Sequence, residues 1–463
     1  VTRARVHHHE RPRAWTGLLT ALLFIGPIGC SSADSESLSG RYPNHNVILI
    51  SVDTLRADHL GAYGYSRPTS PTLDGIAAES VVFDRAYAPA AATWPSLVSM
   101  LTSLSPHASN VRVNGELLAD DVPTLATLLR ARGYTTAAFL ANACEAFTRD
   151  FDTRECLPDA KVTAQALSWL DAAAKEPFFL WLHYLAPHEE YRPPARFDRF
   201  TSKRYQGPID GSRQPIDRAT LGETTLTRAD HEQIVGLYDG EILFTDTLIA
   251  AVWSRLAELG LLSRSLAVVT ADHGEELGDH HGYYYHICSV YEPALRIPLM
   301  VRLPDGASAG RRVTALVQNA DIAPTLLELL GQDPPESFEG ASRRALLEGG
   351  DGLSSEAPSE FYRPGMAPVL SLRSDRWRYV YNPGDTTPEC MPRGRYFQVG
   401  TEELYDQQRD PLDQHDVLAQ HPDVAAELRD RATRAYHADR RAPAIHANPE
   451  TMENLRALGY IVD

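Results

Sequence analysis

Two stretches of this chain end apolar runs in acidic and imidazole groups. Asn46-Val47-Ile48-Leu49-Ile50-Ser51-Val52 is a β-branched run of strand length stopped by Asp53. Val268-Val269-Thr270-Ala271 runs into Asp272-His273-Gly274-Glu275. In sheets flanked by helices, ligands gather at the carboxyl ends of strands. If the two runs are parallel neighbours, Asp53, Asp272 and His273 converge. Two carboxylates and an imidazole suit one divalent ion and leave a coordination position open. Zn, Mn, Ca and Mg all remain candidates. A third stretch, Thr93-Trp94-Pro95-Ser96-Leu97-Val98-Ser99-Met100-Leu101-Thr102, carries a proline at a plausible first helical position. Thr93 then sits at a helix N-terminus, where free N–H groups and the dipole favour an anionic sulfuryl or phosphoryl group. A nearby metal would lower the hydroxyl pKa and make Thr93 a nucleophile, and it would count as a ligand as well. Each feature also has a plain structural reading: Asp53 as a turn cap, Asp272-His273 as a polar strand end, Thr93 as a helix cap.

The elements that position these groups can be read from the same patterns. Further apolar runs lie at 178–184 and 297–301, and continuous apolar strands predict a sheet covered on both faces. Between them, Asp121-Val122-Pro123 opens a helix whose Leu125, Leu128 and Leu129 share a face, closed by Gly133. A long helix is predicted from about Ala229 to Leu259, and another from Asp321 to Gly331. Strands alternating with helices imply an α/β fold, a doubly wound mixed sheet flanked by helices. The catalytic domain is expected over 46–330. Pro, Gly, Ser and Glu then mark a linker or surface excursion over 331–368. A small C-terminal α+β subdomain follows over 369–463, with a hairpin near Val369–Asn382 and a helix near Asp423–Ala435.

The formal net charge of −17 argues against nucleic acid as a partner. The first 29 residues read as a signal peptide: Arg3, Arg5, Arg11 and Arg13 precede an apolar stretch too short for a comfortable membrane span. Gly29-Cys30 and the polar tether over 30–45 resemble a lipoprotein signal, with a lipid anchor on Cys30 holding the protein at the membrane; a plain cleaved signal is the alternative. Either way the chain is expected to be exported, as a periplasmic or cell-envelope protein. Cys144, Cys156, Cys288 and Cys390 allow three disulfide pairings, of which Cys144–Cys156 is the most local.

The ordered motifs resemble those of the sulfatase family, within the alkaline-phosphatase-like superfamily. The first strand and its metal aspartate look like Val47 to Asp58. The nucleophile motif Cys-x-Pro-Ser-Arg, with its closing Leu-Thr-Gly, falls on Thr93 to Leu97 and Leu101-Thr102-Ser103. A histidine–proline loop looks like His183-Tyr184-Leu185-Ala186-Pro187-His188 through Pro194, and Thr-x-Asp-His-Gly-Glu is Thr270 to Glu275. Asn114, His286, the Arg296-Ile297-Pro298 turn, Asp321 to Leu327 and Leu404-Tyr405-Asp406 also fit. The resemblance implies that Asp53, Asp272 and His273 bind one metal and that Thr93 stands in the nucleophile's place. It implies that Asn114, His188 and His286 hold the transferred group or protonate the leaving oxygen. His183, which ends a buried strand, reads as structural.

Departures from the pattern bear on the reaction. Thr93 replaces the cysteine precursor of formylglycine, Leu97 replaces a motif arginine, and Thr54 replaces the second of two paired aspartates. None of the three lysines, Lys161, Lys175 and Lys203, falls in a motif. A formylglycine hydrate can expel sulfate by C–O cleavage, whereas threonine has no second hydroxyl on that carbon. Its ester must be attacked at sulfur or phosphorus, and phosphoryl chemistry does this readily. Expected substrates are therefore small-molecule or glycan esters of sulfuric or phosphoric acid. The alternatives are a phosphoethanolamine-type transferase, or an inactive relative that binds sulfated glycans.

Overall fold

The apolar runs become the centre of an eight-stranded sheet. The computed structural model describes residues 37–142, 146, 150–172, 176–280, 282–286, 288–350, 356–364, 367–384, 400–436 and 444–457. The sheet contains β1 (Asn46–Val52), β2 (Val81–Tyr87), β3 (Thr135–Leu140), β4 (Thr153–Cys156), β5 (Phe178–Tyr184), β6 (Ser265–Ala271), β7 (Arg296–Arg302) and β8 (Arg312–Gln318). Their spatial order is β8-β2-β7-β6-β1-β5-β3-β4. Only β7 runs against its neighbours β2 and β6, so the sheet is mixed and all other strands share one direction.

Every residue of β1, β5 and β6 is buried, as expected for strands covered on both faces by helices. The helices used below are α1 (Pro71–Ala78), α2 (Thr93–Thr102), α3 (Leu125–Ala131), α4 (Asp159–Ala172), α5 (Arg213–Thr220), α6 (Arg228–Glu258), α7 (Ile322–Leu329) and α8 (Pro422–Tyr436). The long helix α6 begins at a capping box, with Thr227 accepting from Asp230 N–H and the Asp230 carboxylate accepting from Thr227 N–H. Two helix starts differ from expectation. Thr124, not Asp121-Val122-Pro123, caps α3, because its hydroxyl accepts from Thr127 N–H. Pro95 occupies the third position of α2 instead of the first; an N–H there has no intrahelical acceptor, so proline costs the helix no bond.

The stretch 331–368 is less of a linker than its composition implies. It carries β9 (Glu356–Phe361), which pairs with β10 (Val369–Ser374) and so joins a four-stranded antiparallel sheet with β11 (Trp377–Tyr381) and β12 (Glu402–Asp406). Helix α8 packs Ala425, Leu428 and Ala432 on Leu370, Leu372, Tyr379 and Leu404 of that sheet. A buried ion cluster ties this subdomain to the main core: Arg378 lies 2.5 Å from Glu292 and 2.8 Å from Asp413.

Cys156 and Cys288 are each disulfide-bonded. Cys30, Cys144 and Cys390, like the signal region over 1–29, lie outside the described residues. Among the described residues, no helix is long and apolar enough to cross a membrane.

Candidate active site

Strand register builds the acidic pair. β1 and β6 are parallel neighbours with Ser51 opposite Thr270 and Val52 opposite Ala271. The residues that follow, Asp53 and Asp272, therefore leave the sheet side by side, and both are fully buried. His273 Nδ1 donates to the Gly274 carbonyl at 2.9 Å, which turns Nε2 toward the carboxylates. That nitrogen stands 3.7 Å from Asp53 Oδ1 and 3.6 Å from Asp272 Oδ2.

Thr93 enters from two strands away. β2 ends at Tyr87 on the same rim, and a short connection leads to α2, whose first residue is Thr93. Its Oγ1 lies 3.5 Å from His273 Nε2. Asn114, expected to touch substrate, has its side-chain oxygen 2.8 Å from Trp94 N–H, where it caps the helix that presents Thr93. Ser96, one turn on, donates to the Asp272 carbonyl at 2.6 Å and accepts from Asn319 Nδ2 at 2.9 Å. Helix α2 and the acidic strand end are thus fastened to each other directly.

A second group of side chains closes the chamber. His188 and His286 approach with ring centroids 5.1 Å apart, and His286 lies 4.4 Å from the ring of His273. His188 Nδ1 donates to the Glu189 carbonyl at 2.7 Å, and His286 Nδ1 lies 2.9 Å from Glu275 Oε1. Arg213, the first residue of α5, reaches in from the irregular stretch between β5 and α6 and lies 3.2 Å from Glu189 Oε1.

Electrostatics differ across the site. Burial pushes Asp53 upward, but His188, His183 and His273 outweigh it and hold the carboxyl well below its usual range. Burial and the charge of Asp53 push Asp272 well up. Burial, then the neighbouring His273 and His188, drives His286 well below the usual imidazole value. His188 moves the other way: burial lowers it, but Glu189 and Asp53 together raise it.

Of the sequence-predicted residues, Asp53, Thr93, Asp272, His273, His188 and His286 gather around His273, and Asn114 stands behind them on the first turn of α2. Sequence reasoning passed over four more. His183, read as structural, has Nδ1 2.8 Å from Ser51 Oγ and Nε2 3.9 Å from Asp53 Oδ2. Asn142 donates to Asp53 Oδ2 at 2.6 Å. Glu189 and Glu275 back the two outer histidines. His183 and Glu275 stood inside quoted motifs and could have been found there; Asn142 stood in none.

The donor set suits a divalent cation. Ligand atoms of Asp53, His183 and Asp272 lie within 4.8 Å of one another, all buried. Asp272 Oδ2 takes no hydrogen bond although it is buried. Two adjacent buried carboxylates repel, and an ion between them removes that cost. Asp53, Asp272, His273 and His183 are the residues that would hold it, with Thr93 Oγ1 at the margin.

The family model described as Sulfatase matches residues 45–332. The chain is 25% identical to arylsulfatase K of Xenopus laevis over 460 residues, covering 85% of this chain and 82% of the relative. It is 21% identical to an N-acetylglucosamine-6-O-sulfatase of Bacteroides thetaiotaomicron over 494 residues, covering 87% of each. Its fold is similar to the crystal structure of a phosphonate monoester hydrolase of Agrobacterium radiobacter, with a TM-score of 0.71 and 22% identity over 88% of this chain and 100% of that one. With most of the chain inside one family's match, this protein belongs to the sulfatase family and is a sulfatase-like ester hydrolase.

Proposed function

We propose that this protein hydrolyses sulfuric or phosphoric esters in two steps with Thr93 as the nucleophile, in a site that holds one divalent metal ion. The observation that carries the reading is the placement of Thr93 Oγ1, at the first position of α2 and 3.5 Å from His273 Nε2, beside two buried carboxylates. When bound, the ion supplies positive charge that lowers the hydroxyl pKa and offsets charge on the transferred group. The rest falls to the chain. Thr93 Oγ1, its proton lost to solvent, attacks sulfur or phosphorus, forming a threonine ester as the bond to the departing alcohol breaks. His188, raised by Glu189 and Asp53, is the side chain best placed to give that alcohol its proton. Water then attacks the sulfur or phosphorus of that ester, the bond to Oγ1 breaks, sulfate or a phosphate leaves, and a proton from the water restores the Thr93 hydroxyl.

Between the two elements, threonine favours phosphorus, because its ester cannot decompose by C–O cleavage. Relatives named for glycan sulfates make a sulfated sugar the competing substrate class. The signal features over 1–30 support an exported protein anchored through Cys30. Loss of lipid labelling in Cys30→Ala would test that part by itself.

The deciding experiment compares the protein with Thr93→Ala on a bis-aryl phosphate, an aryl phosphate and an aryl sulfate, with Mn²⁺ or Zn²⁺ supplied. Turnover that disappears in Thr93→Ala, with a phosphorylated or sulfated Thr93 peptide after acid quench, establishes the mechanism and its element. Undiminished turnover in Thr93→Ala rules it out. Silence on all three esters without bound metal leaves the glycan-binding reading in its place.

A further inference from the structure

We propose that Glu275 is a positioning residue that fixes His286 so that its Nε2 is the nitrogen presented to the reacting group; this rests on the two-step reading above. The two side chains form a pair sealed from solvent, with Glu275 Oε1 2.9 Å from His286 Nδ1 and neither more than 1% exposed. A proton held on Nδ1 leaves the lone pair on Nε2. That Nε2 is buried and has no hydrogen-bond partner in the structure. The ring carrying it packs 5.1 Å from His188 and 4.4 Å from His273, whose own Nε2 lies 3.5 Å from Thr93 Oγ1.

Both partners are held from behind. Glu275 N–H donates to the Pro293 carbonyl at 3.1 Å, and its own carbonyl accepts from Arg56 Nη1 at 3.1 Å. The preceding turn admits only glycine, since a Cβ on Gly274 would stand 2.1 Å from Pro293 O. On the other side, Tyr285 holds a left-handed φ of 75°, a conformation bulky residues rarely adopt and one that clusters at functional sites. A role in core packing would not call for a buried carboxylate aimed at an imidazole whose other nitrogen has no partner.

The test uses the full chain with ¹⁵N-labelled histidine, His286 being identified by loss of its signals in His286→Gln. Wild-type His286 is expected as the Nδ1–H tautomer. In Glu275→Gln, whose amide can donate to Nδ1, it is expected to change to Nε2–H. On a bis-aryl phosphate or aryl sulfate, Glu275→Gln should lower kcat by about 10³-fold, with KM within threefold and metal content unchanged. Glu275→Asp, which keeps the carboxylate, should recover part of the loss. A wild-type Nε2–H tautomer overturns the assignment, as does near wild-type kcat in Glu275→Gln. Residual turnover in Thr93→Ala overturns the nucleophile reading instead and does not move the tautomer.

Discussion

Asn142 Nδ2 donates to Asp53 Oδ2 at 2.6 Å, tying the end of β3 to the end of β1 across the intervening strand β5. The bond leaves Asp53 Oδ1 on the side of His273 and fixes the plane of the carboxylate. Groups that orient a ligand in this way typically contribute 10- to 100-fold in metal affinity. Asn142→Leu should weaken Mn²⁺ or Zn²⁺ binding by about that factor while the fold survives. Calorimetric titration of chelator-treated protein would show it, and unchanged affinity would assign Asn142 to packing alone.

Removal of the ion is the broader form of this test. Chelation should abolish ester hydrolysis, and added Mn²⁺ or Zn²⁺ should restore it. Asp272→Asn should lose the bound ion, because it removes the carboxylate whose Oδ2 takes no hydrogen bond. His188→Gln should keep it. Elemental analysis of the three proteins separates a metal site at the strand ends from one centred on the outer histidines.

Gly274 is predicted to tolerate no side chain. A Cβ there would stand 2.1 Å from the Pro293 carbonyl oxygen, which itself accepts from Glu275 N–H. Relief requires moving the turn that carries Asp272, His273 and Glu275. Gly274→Ala should cost on the order of 2–4 kcal/mol and reduce turnover by a larger factor than stability explains. Urea unfolding alongside kinetics would show whether the two losses part company.

Stability should fall as the solution becomes alkaline, and Glu241 supplies one identifiable cause. Its carboxyl is buried on α6 and pushed up to about 8, mainly by desolvation, while Arg192 N–H partly offsets the shift. The folded state therefore keeps a proton between about pH 4.5 and 8 that the unfolded chain releases. Stability then decreases with rising pH across that window. Glu241→Gln removes the penalty and should stabilise the protein at pH 8, by on the order of 3 kcal/mol, with little effect near pH 4.5. Thermal melts at both pH values would reveal the difference; equal effects at both would discount the titration.

How much of this was legible in the sequence varied by element. The pairing of Asp53 with Asp272 was readable because fully buried parallel strands are continuous apolar runs, and each aspartate ends one. The helix at Thr93 was readable from Pro95, although the proline sits two places later than supposed. β9 was not readable: Glu356-Ala357-Pro358-Ser359-Glu360-Phe361 holds a proline and two acids, which only an edge strand admits, and β9 lies at the edge of its sheet. Asn142 and Glu189 escaped for another reason. Asn142 acts through a partner far along the chain and no local pattern marks it, whereas Glu189 lay inside the histidine–proline loop at a position whose residue type the motif leaves open.

The single reversed strand, β7, has a consequence for how this chemistry can change over time. Because it alone is inverted, β2 still points toward the rim where β1 and β6 end, and it delivers Thr93 there on a helix of its own. The Thr93 hydroxyl and the acidic cradle thus arrive on separate segments, 40 residues and about 180 residues apart along the chain, and meet only in space. A substitution at position 93 therefore changes the group offered at the start of α2 without altering any residue of β1 or β6 that leads into the acidic cradle.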